Sequence, residues 1–226
     1  MIAPASRVNR SDVERIVREL VTRRFGELTA ARGAAPELVV NISARHMHIT
    51  QEDLEVLFGP GSALTVMRTL HQEGEFASEQ TVTLIGPRHR MIPNFRILGP
   101  CRGHTQVELA FTDAIAVGID APVRMSGNVA GTPGCLILGP KGHLALEQGV
   151  IRAQRHVHLS PAEAAYYGVT NGDPMRLMVD HPTCGVEIGG VIVRIKEGLK
   201  CEVHLDTDEG NACDLPHATK VELVKA

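Results

Sequence analysis

Two short stretches of the chain place paired histidines in nearly the same setting. "SARHMHITQED", residues 43–53, carries His46 and His48; "AQRHVHLSPAE", residues 153–163, carries His156 and His158, 110 residues further on. In an extended strand, side chains at i and i+2 leave the same face, so each pair projects side by side. Two imidazoles so placed can chelate one metal ion or bridge two. Neutral imidazole is the commonest nitrogen ligand of zinc, and other first-row metals accept the same donors. A single His-x-His also arises by chance on a surface strand. Two pairs, each preceded by Arg (Arg45, Arg155) and followed by a helix-capping Thr50 or Ser160, weaken that alternative.

Further donors lie on two other runs. In "KCEVHLDTDEGNA", residues 200–212, Cys201, Val203 and Leu205 share one face of a strand, and Glu202, His204 and Asp206 share the other. His204 is thus a candidate ligand. The alternative is a polar outward residue, with Asp206, Asp208 and Glu209 forming a solvated turn. In "GPCRGHTQVELAFTD", residues 99–113, Arg102, His104, Gln106 and Glu108 share a face if the run is extended. Glu108 could complete a metal shell or pair with Arg102. Five histidines and one glutamate suffice for two ions with about three protein ligands each, which leaves open positions of the kind catalytic zinc keeps. Arg102 beside such a site offers a planar cationic fork suited to phosphate. The expected substrate therefore carries an oxyanion.

The elements that must hold these residues are mostly strands. From residue 38 the chain offers short Val/Ile/Thr-rich runs divided by Gly and Pro: "ELVVNISARHMHI", "QTVTLIGP", "FRILGP", "AIAVGID", "CLILGPKG", "PMRLMVD", "GVEIGGVIVRIK" and "KCEVHLD". Many short strands with regular turn signals predict sandwich or barrel β structure. "TQEDLEVLFGPG" and "SPAEAAYYGVTNGD" each open with Thr or Ser and an acidic residue three on, which predicts a capped short helix after each His-x-His. "LIGP", "ILGP" and "LILGP" recur as strand-ending turns. Two units of strand, His-x-His, short helix and turn suggest two barrels related by duplication.

Ahead of this body, Val13, Ile16, Val17, Leu20, Val21 and Phe25 fall at helical spacing, with a capping box at Ser11 and Glu14 and a stop at Gly26. "TAARGAAPE" then reads as a small-residue linker. The helix either docks on the body or serves as a detachable targeting or assembly segment. The 226 residues fit one large domain or two small ones. A net charge of −3, no Trp and two Tyr exclude a nucleic-acid footprint. No apolar run approaches the roughly 20 residues that span a bilayer, and the first ten residues lack a signal-peptide core, so a cytoplasmic chain without a membrane partner is expected. Five cysteines with no Cys-x-x-Cys pair suggest neither a disulfide framework nor a zinc ribbon.

"RHMHI", "GPCRGHTQVEL", "PVRMSGNVAGTPG", "LGPKGHL", "RHVHLS" and "VHLDTDEGNA", taken in order, resemble the phosphotransacylases of bacterial microcompartments, the phosphate propanoyltransferase type used in propanediol breakdown. The resemblance runs from about Leu38 to Asp214. It implies transfer of an acyl group between coenzyme A and inorganic phosphate, with two zinc ions per chain. The implied ligands are His46, His48, Glu108, His156, His158 and His204, with Arg102 binding phosphate. "PVRMSGN" departs from the family near Met125 and Asn128, leaving Ser126 as the CoA-side candidate there. The implied fold is mainly β: two β-barrel domains with short capping helices, one formed by residues 36–45 plus 155–226 and the other by 46–154. Residues 1–35 would form an amphipathic helix and linker serving encapsulation by microcompartment shell or core proteins, and the localisation would be a microcompartment within the cytoplasm. A homo-oligomer is compatible with this. Direct attack by held phosphate on the thioester is the expected route; a cysteine nucleophile, Cys101 being nearest Arg102, is the competing one.

Overall fold

A computed structural model describes residues 13, 14, 16–21 and 34–226. The chain divides into two compact units, residues 1–37 and 38–226. In the first, residues 13, 14 and 16–21 belong to a helix, α1, and its Val13, Ile16, Val17, Leu20 and Val21 are exposed. The expected cap at Ser11, the stop at Phe25–Gly26 and most of the linker lie outside the described residues. Among the described residues no helix is long and apolar enough to cross a membrane.

The second unit is mainly β, two curled half-barrel sheets with a few short helices. One sheet runs β1 (Val39–Ser43), β14 (Glu202–Asp206), β11 (His156–Leu159), β13 (Val186–Ile195), β12 (Pro174–Asp180), β15 (Lys220–Lys225). The other runs β7 (Val123–Arg124), β10 (Val150–Ala153), β6 (Gln106–Glu108), β2 (His46–His48), β5 (Met91–Gly99), β4 (Phe76–Ile85), β8 (Cys135–Leu138), β9 (His143–Leu146), with β3 (Val66–Thr69) beside β4. The two share a plan. β1, β14, β11, β13, β12 and β15 pair as parallel, antiparallel, parallel, antiparallel, antiparallel. β10, β6, β2, β5, β4 and β8 repeat that series. In each of these six-strand series the His-x-His strand sits third, between an antiparallel strand carrying the third donor and a parallel neighbour. The chain therefore crosses between the sheets twice, after β1 and after β10.

Each sheet curls around its own apolar core. Met47, Leu84, Phe95, Ile97, Val107 and Ile137 fill one; Val157, Leu159, Leu177, Val193, Val203 and Leu205 fill the other. Each such side chain contributes about 1.5–3 kcal/mol when fully buried. Because strand side chains alternate, putting Met47, Val157 and Val203 in the cores sends His46, His48, His156, His158 and His204 to the opposite face.

The helices follow the expected caps. Thr50 accepts the backbone N–H of Asp53 at the start of α2 (Gln51–Phe58). Ser160 and Glu163 form a reciprocal capping box on α4 (Pro161–Tyr167). "AIAVGID" is a correction: it is not a strand but the body of α3 (Phe111–Val117), which ends at Gly118 in the left-handed conformation. An Ala/Ile/Val run has no decisive period, and Ala114 and Val117 face the core at helical spacing. "TDEGNA" forms a further helix, α5 (Thr207–Ala212), so Asp206 and Glu209 are a capping box rather than a solvated turn. The run "GPCRGHTQVEL" is extended only from Gln106 onward, so Arg102 and His104 stand on a loop rather than on the Glu108 face.

Candidate metal centre

The structure gathers the predicted donors into two triads. His46, His48 and Glu108 form one, and His156, His158 and His204 the other; within each, one donor atom per residue lies within 4.8 Å of the rest. Strand register produces both. His46 stands opposite Glu108 across the β2–β6 pair, and His156 stands opposite His204 across the β11–β14 pair. The triads border one cleft, whose lining includes Ser43, Glu108, Gln154, His156, His204 and Asp206.

The first histidine of each pair is fixed in the same way. His46 Nδ1 donates to the Ala44 carbonyl and His156 Nδ1 to the Gln154 carbonyl, both at 2.8 Å. Those carbonyls belong to the two segments where the chain passes between sheets. With Nδ1 carrying the proton, Nε2 of each ring presents its lone pair. His46 Nε2 lies 3.5 Å from Glu108 Oε2. In the other triad the His156 and His204 rings stack with centroids 4.7 Å apart. His48 Nδ1, His158 Nδ1 and His204 Nε2 are buried without a hydrogen-bond partner. Buried polar atoms are rarely left unsatisfied, and three nitrogens on two triads are a donor set that suits a cation.

Electrostatics agree. Burial first, then the neighbouring His46 and Arg102, lower the pKa of His48 to about 3. Burial and His204 lower His156 to about 4 and His158 to about 3. These rings are neutral, the ligand form. For Glu108, burial works upward, but His46, His48, His156 and the Ser126 hydroxyl outweigh it and hold the carboxyl below its usual range.

Sequence reasoning gave no role to the buried groups that stand beside the third donors. Gln106, fully buried two residues before Glu108, donates Nε2–H to Glu108 Oε1 at 2.6 Å and lies 2.8 Å from Ser126 Oγ, while its Oε1 accepts Gly127 N–H at 2.8 Å. Glu202, 1% exposed and two residues before His204, occupies the equivalent place. It accepts from Gln72 Nε2 at 2.7 Å and Asn41 Nδ2 at 3.2 Å. Its Oε2 lies 3.2 Å from His204 Nε2, close but without hydrogen-bond alignment. The available signal was position alone: a polar residue at i−2 on the same strand face.

Arg102 reaches the first triad from the loop after β5, its backbone N–H bonded to Ile49 O at 2.8 Å. Its guanidinium pairs with Glu75 at 3.0 Å, not with Glu108. Ser126 lies beside Gln106 and Glu108. A third group joins His181 and Cys184, in the turn between β12 and β13, to Asp214, which follows α5, beside an open surface groove. There His181 Nδ1 accepts the N–H groups of Thr183 and Cys184, both at 3.1 Å, and Nε2 faces Asp214 at 3.4 Å. A ring with one nitrogen accepting and the other protonated has no lone pair for a metal. This group caps a turn, and the smaller cleft with two open triads is the better site.

Comparison with known proteins gives the family. Residues 39–216 match the model of the phosphate propanoyltransferase family. A phosphate propanoyltransferase of Planctopirus limnophila is 55% identical, over 98% of this chain and 93% of the relative. One from Thermotoga maritima is 44% identical over 84% of this chain and 90% of its own, and one from Salmonella typhimurium 44% over 79% and 85%. The class is that of the acyltransferases. Within it, the chain belongs to the phosphate propanoyltransferase family.

Proposed function

We propose that the chain exchanges a short acyl group, propanoyl in the first instance, between coenzyme A and inorganic phosphate. The centre would hold two zinc ions, one in His46, His48 and Glu108 and one in His156, His158 and His204. The observation that carries this is the convergence of two largely buried donor triads on one cleft. Three protein ligands apiece leave open positions, and the unpartnered ring nitrogens fit a cation of this kind. Such ions, when bound, supply positive charge that neutralises phosphate and polarises a carbonyl oxygen.

The chain's own residues do the rest. Arg102, steadied by Glu75, presents N–H donors to a phosphate oxyanion. Gln106 fixes the Glu108 carboxylate, and Ser126 next to it is the CoA-side candidate. A phosphate oxygen so held attacks the thioester carbonyl carbon; the new C–O bond forms, the C–S bond breaks, and coenzyme A leaves as thiolate and takes up a proton. Holding both reactants in line makes the step effectively unimolecular. The enzyme itself is not acylated.

Residues 36–45 with 155–226, and residues 46–154, would act as two lobes closing on the reactants, and α1 would direct the enzyme into a microcompartment. The deciding experiment incubates the purified protein with propanoyl-CoA, with and without phosphate, while following free thiol and acyl phosphate. Phosphate-dependent release of both is expected. Phosphate-independent thiol release would make the protein a hydrolase, and no release would make it a metal-binding module.

A further inference from the structure

Two arginines face the two triads, and only one of them has an anionic partner. Arg194 lies on β13 directly beside His158, paired with it in the parallel β11–β13 ladder. Paired positions on neighbouring strands point to the same face, so Arg194 shares the face of His156 and His158. Its neighbour Val193 lies in the apolar core and Ile195 packs against that core, which confirms the alternation. The guanidinium is half-buried. Among the described residues it has no carboxylate within ion-pair distance and no hydrogen-bond partner, whereas Arg102 is held by Glu75. It is nevertheless central: its charge acts on His156 and His158, and it lies within electrostatic reach of Arg102, Glu108 and Glu75. Two cations kept near each other, one of them partly desolvated and unpaired, are unfavourable unless an anion joins them.

We propose that Arg194 is a second anion-binding residue of this centre, the six-stranded sheet's counterpart of Arg102, and that the two together clasp one tetrahedral oxyanion. That ligand is inorganic phosphate in one direction and the phosphoryl group of the acyl phosphate in the other. Each lobe then brings three metal donors and one arginine, so the oxyanion is gripped across the cleft. This rests on the function proposed above for its substrates, but binding of the anion can be measured without catalysis.

The test uses the full chain supplied with zinc, as wild type, Arg194→Ala and Arg194→Lys. Isothermal titration with inorganic phosphate should show about tenfold or greater weakening in Arg194→Ala and partial recovery in Arg194→Lys, as expected for loss of a charged hydrogen-bond donor. In the exchange assay the KM for phosphate should rise similarly while the KM for propanoyl-CoA stays within about twofold and bound metal is unchanged. Unaltered phosphate affinity in Arg194→Ala would overturn the assignment. A rise confined to the KM for propanoyl-CoA would overturn it too, moving Arg194 to a phosphate of coenzyme A. If wild type lacks phosphate-dependent exchange, the proposed function fails, and the titration alone still decides Arg194.

Discussion

Each position of Arg-His-x-His does one job twice in this molecule. Arg45 pairs with Asp113 in the first turn of α3, and Arg155 pairs with Glu209 in the first turn of α5, both at 2.7 Å. Those helices directly follow the strands of Glu108 and His204, so each arginine ties a crossing segment to the element bearing the third donor. Such part-exposed pairs are worth at most about 1 kcal/mol, and their value is registration. Gln106 holds Glu108 by a hydrogen bond, while His204 meets Ser43 Oγ through Nδ1 at 3.1 Å and has Glu202 beside its Nε2. If Glu202 positions His204, Glu202→Gln should weaken zinc at the His156/His158/His204 triad by about 10–100-fold, the usual cost of losing an outer partner. Competition with a chromogenic chelator should then show one ion released early and the other unchanged; equal affinities would remove Glu202 from this role. Cys101 behaves differently. Burial and then Glu52 push its thiol pKa up, which disfavours the thiolate a nucleophile needs. Cys101→Ala is therefore expected to retain most exchange activity, as followed by acyl phosphate formation, and loss of more than about 99% would favour a covalent route.

At the scale of elements, local chemistry is legible and long-range pairing is not. The spacing of His46/His48 and His156/His158 announces strands, and Thr50 and Ser160 announce the helices that follow. "AIAVGID" misleads because small and β-branched residues fit either period, while Asp113 in the first turn and Gly118 at the end carried the better signal. β1 pairs in parallel with β14, Val39 opposite Glu202, and nothing local in either strand encodes a partner so remote. Arg194 is equally silent in sequence, one arginine in an ordinary strand, until its register beside His158 is known. The recurring Gly-Pro turns also hold more than turn chemistry. An added Cβ on Gly139 would come within 2.4 Å of the Leu57 carbonyl of α2, and one on Gly86 within 2.2 Å of the Val117 carbonyl of α3. Gly139→Ala should thus cost about 1–3 kcal/mol by overpacking, read as a lowered midpoint in urea. Ser160→Ala, which only removes a cap, should cost about 1 kcal/mol. Equal and negligible shifts would mean that α2 can move away from the sheet freely.

At the scale of the whole molecule, two sheets with the same series of strand orientations exchange their first strands and meet along the donor triads. A centre assembled this way depends on residues 38–226, the unit that contains every candidate donor together with Arg102 and Arg194. Among the described residues of 1–37 there is no such donor. The apolar stripe of α1, with Val13, Ile16, Val17, Leu20 and Val21 each roughly half exposed, is instead the kind of surface an amphipathic helix offers to a groove on a partner. Removal of residues 1–33 separates the two roles. The truncated enzyme should keep its thermal midpoint, its metal content and a kcat/KM within about twofold of the full chain, because a ΔΔG‡ below about 0.4 kcal/mol is all that a spectator segment can contribute. It should also fail to co-purify with microcompartments when produced alongside shell proteins, while the full chain does so. Loss of activity in a soluble, metal-loaded truncation would instead make the segment part of the catalytic unit, and undiminished co-purification would place the packaging contacts on the β body.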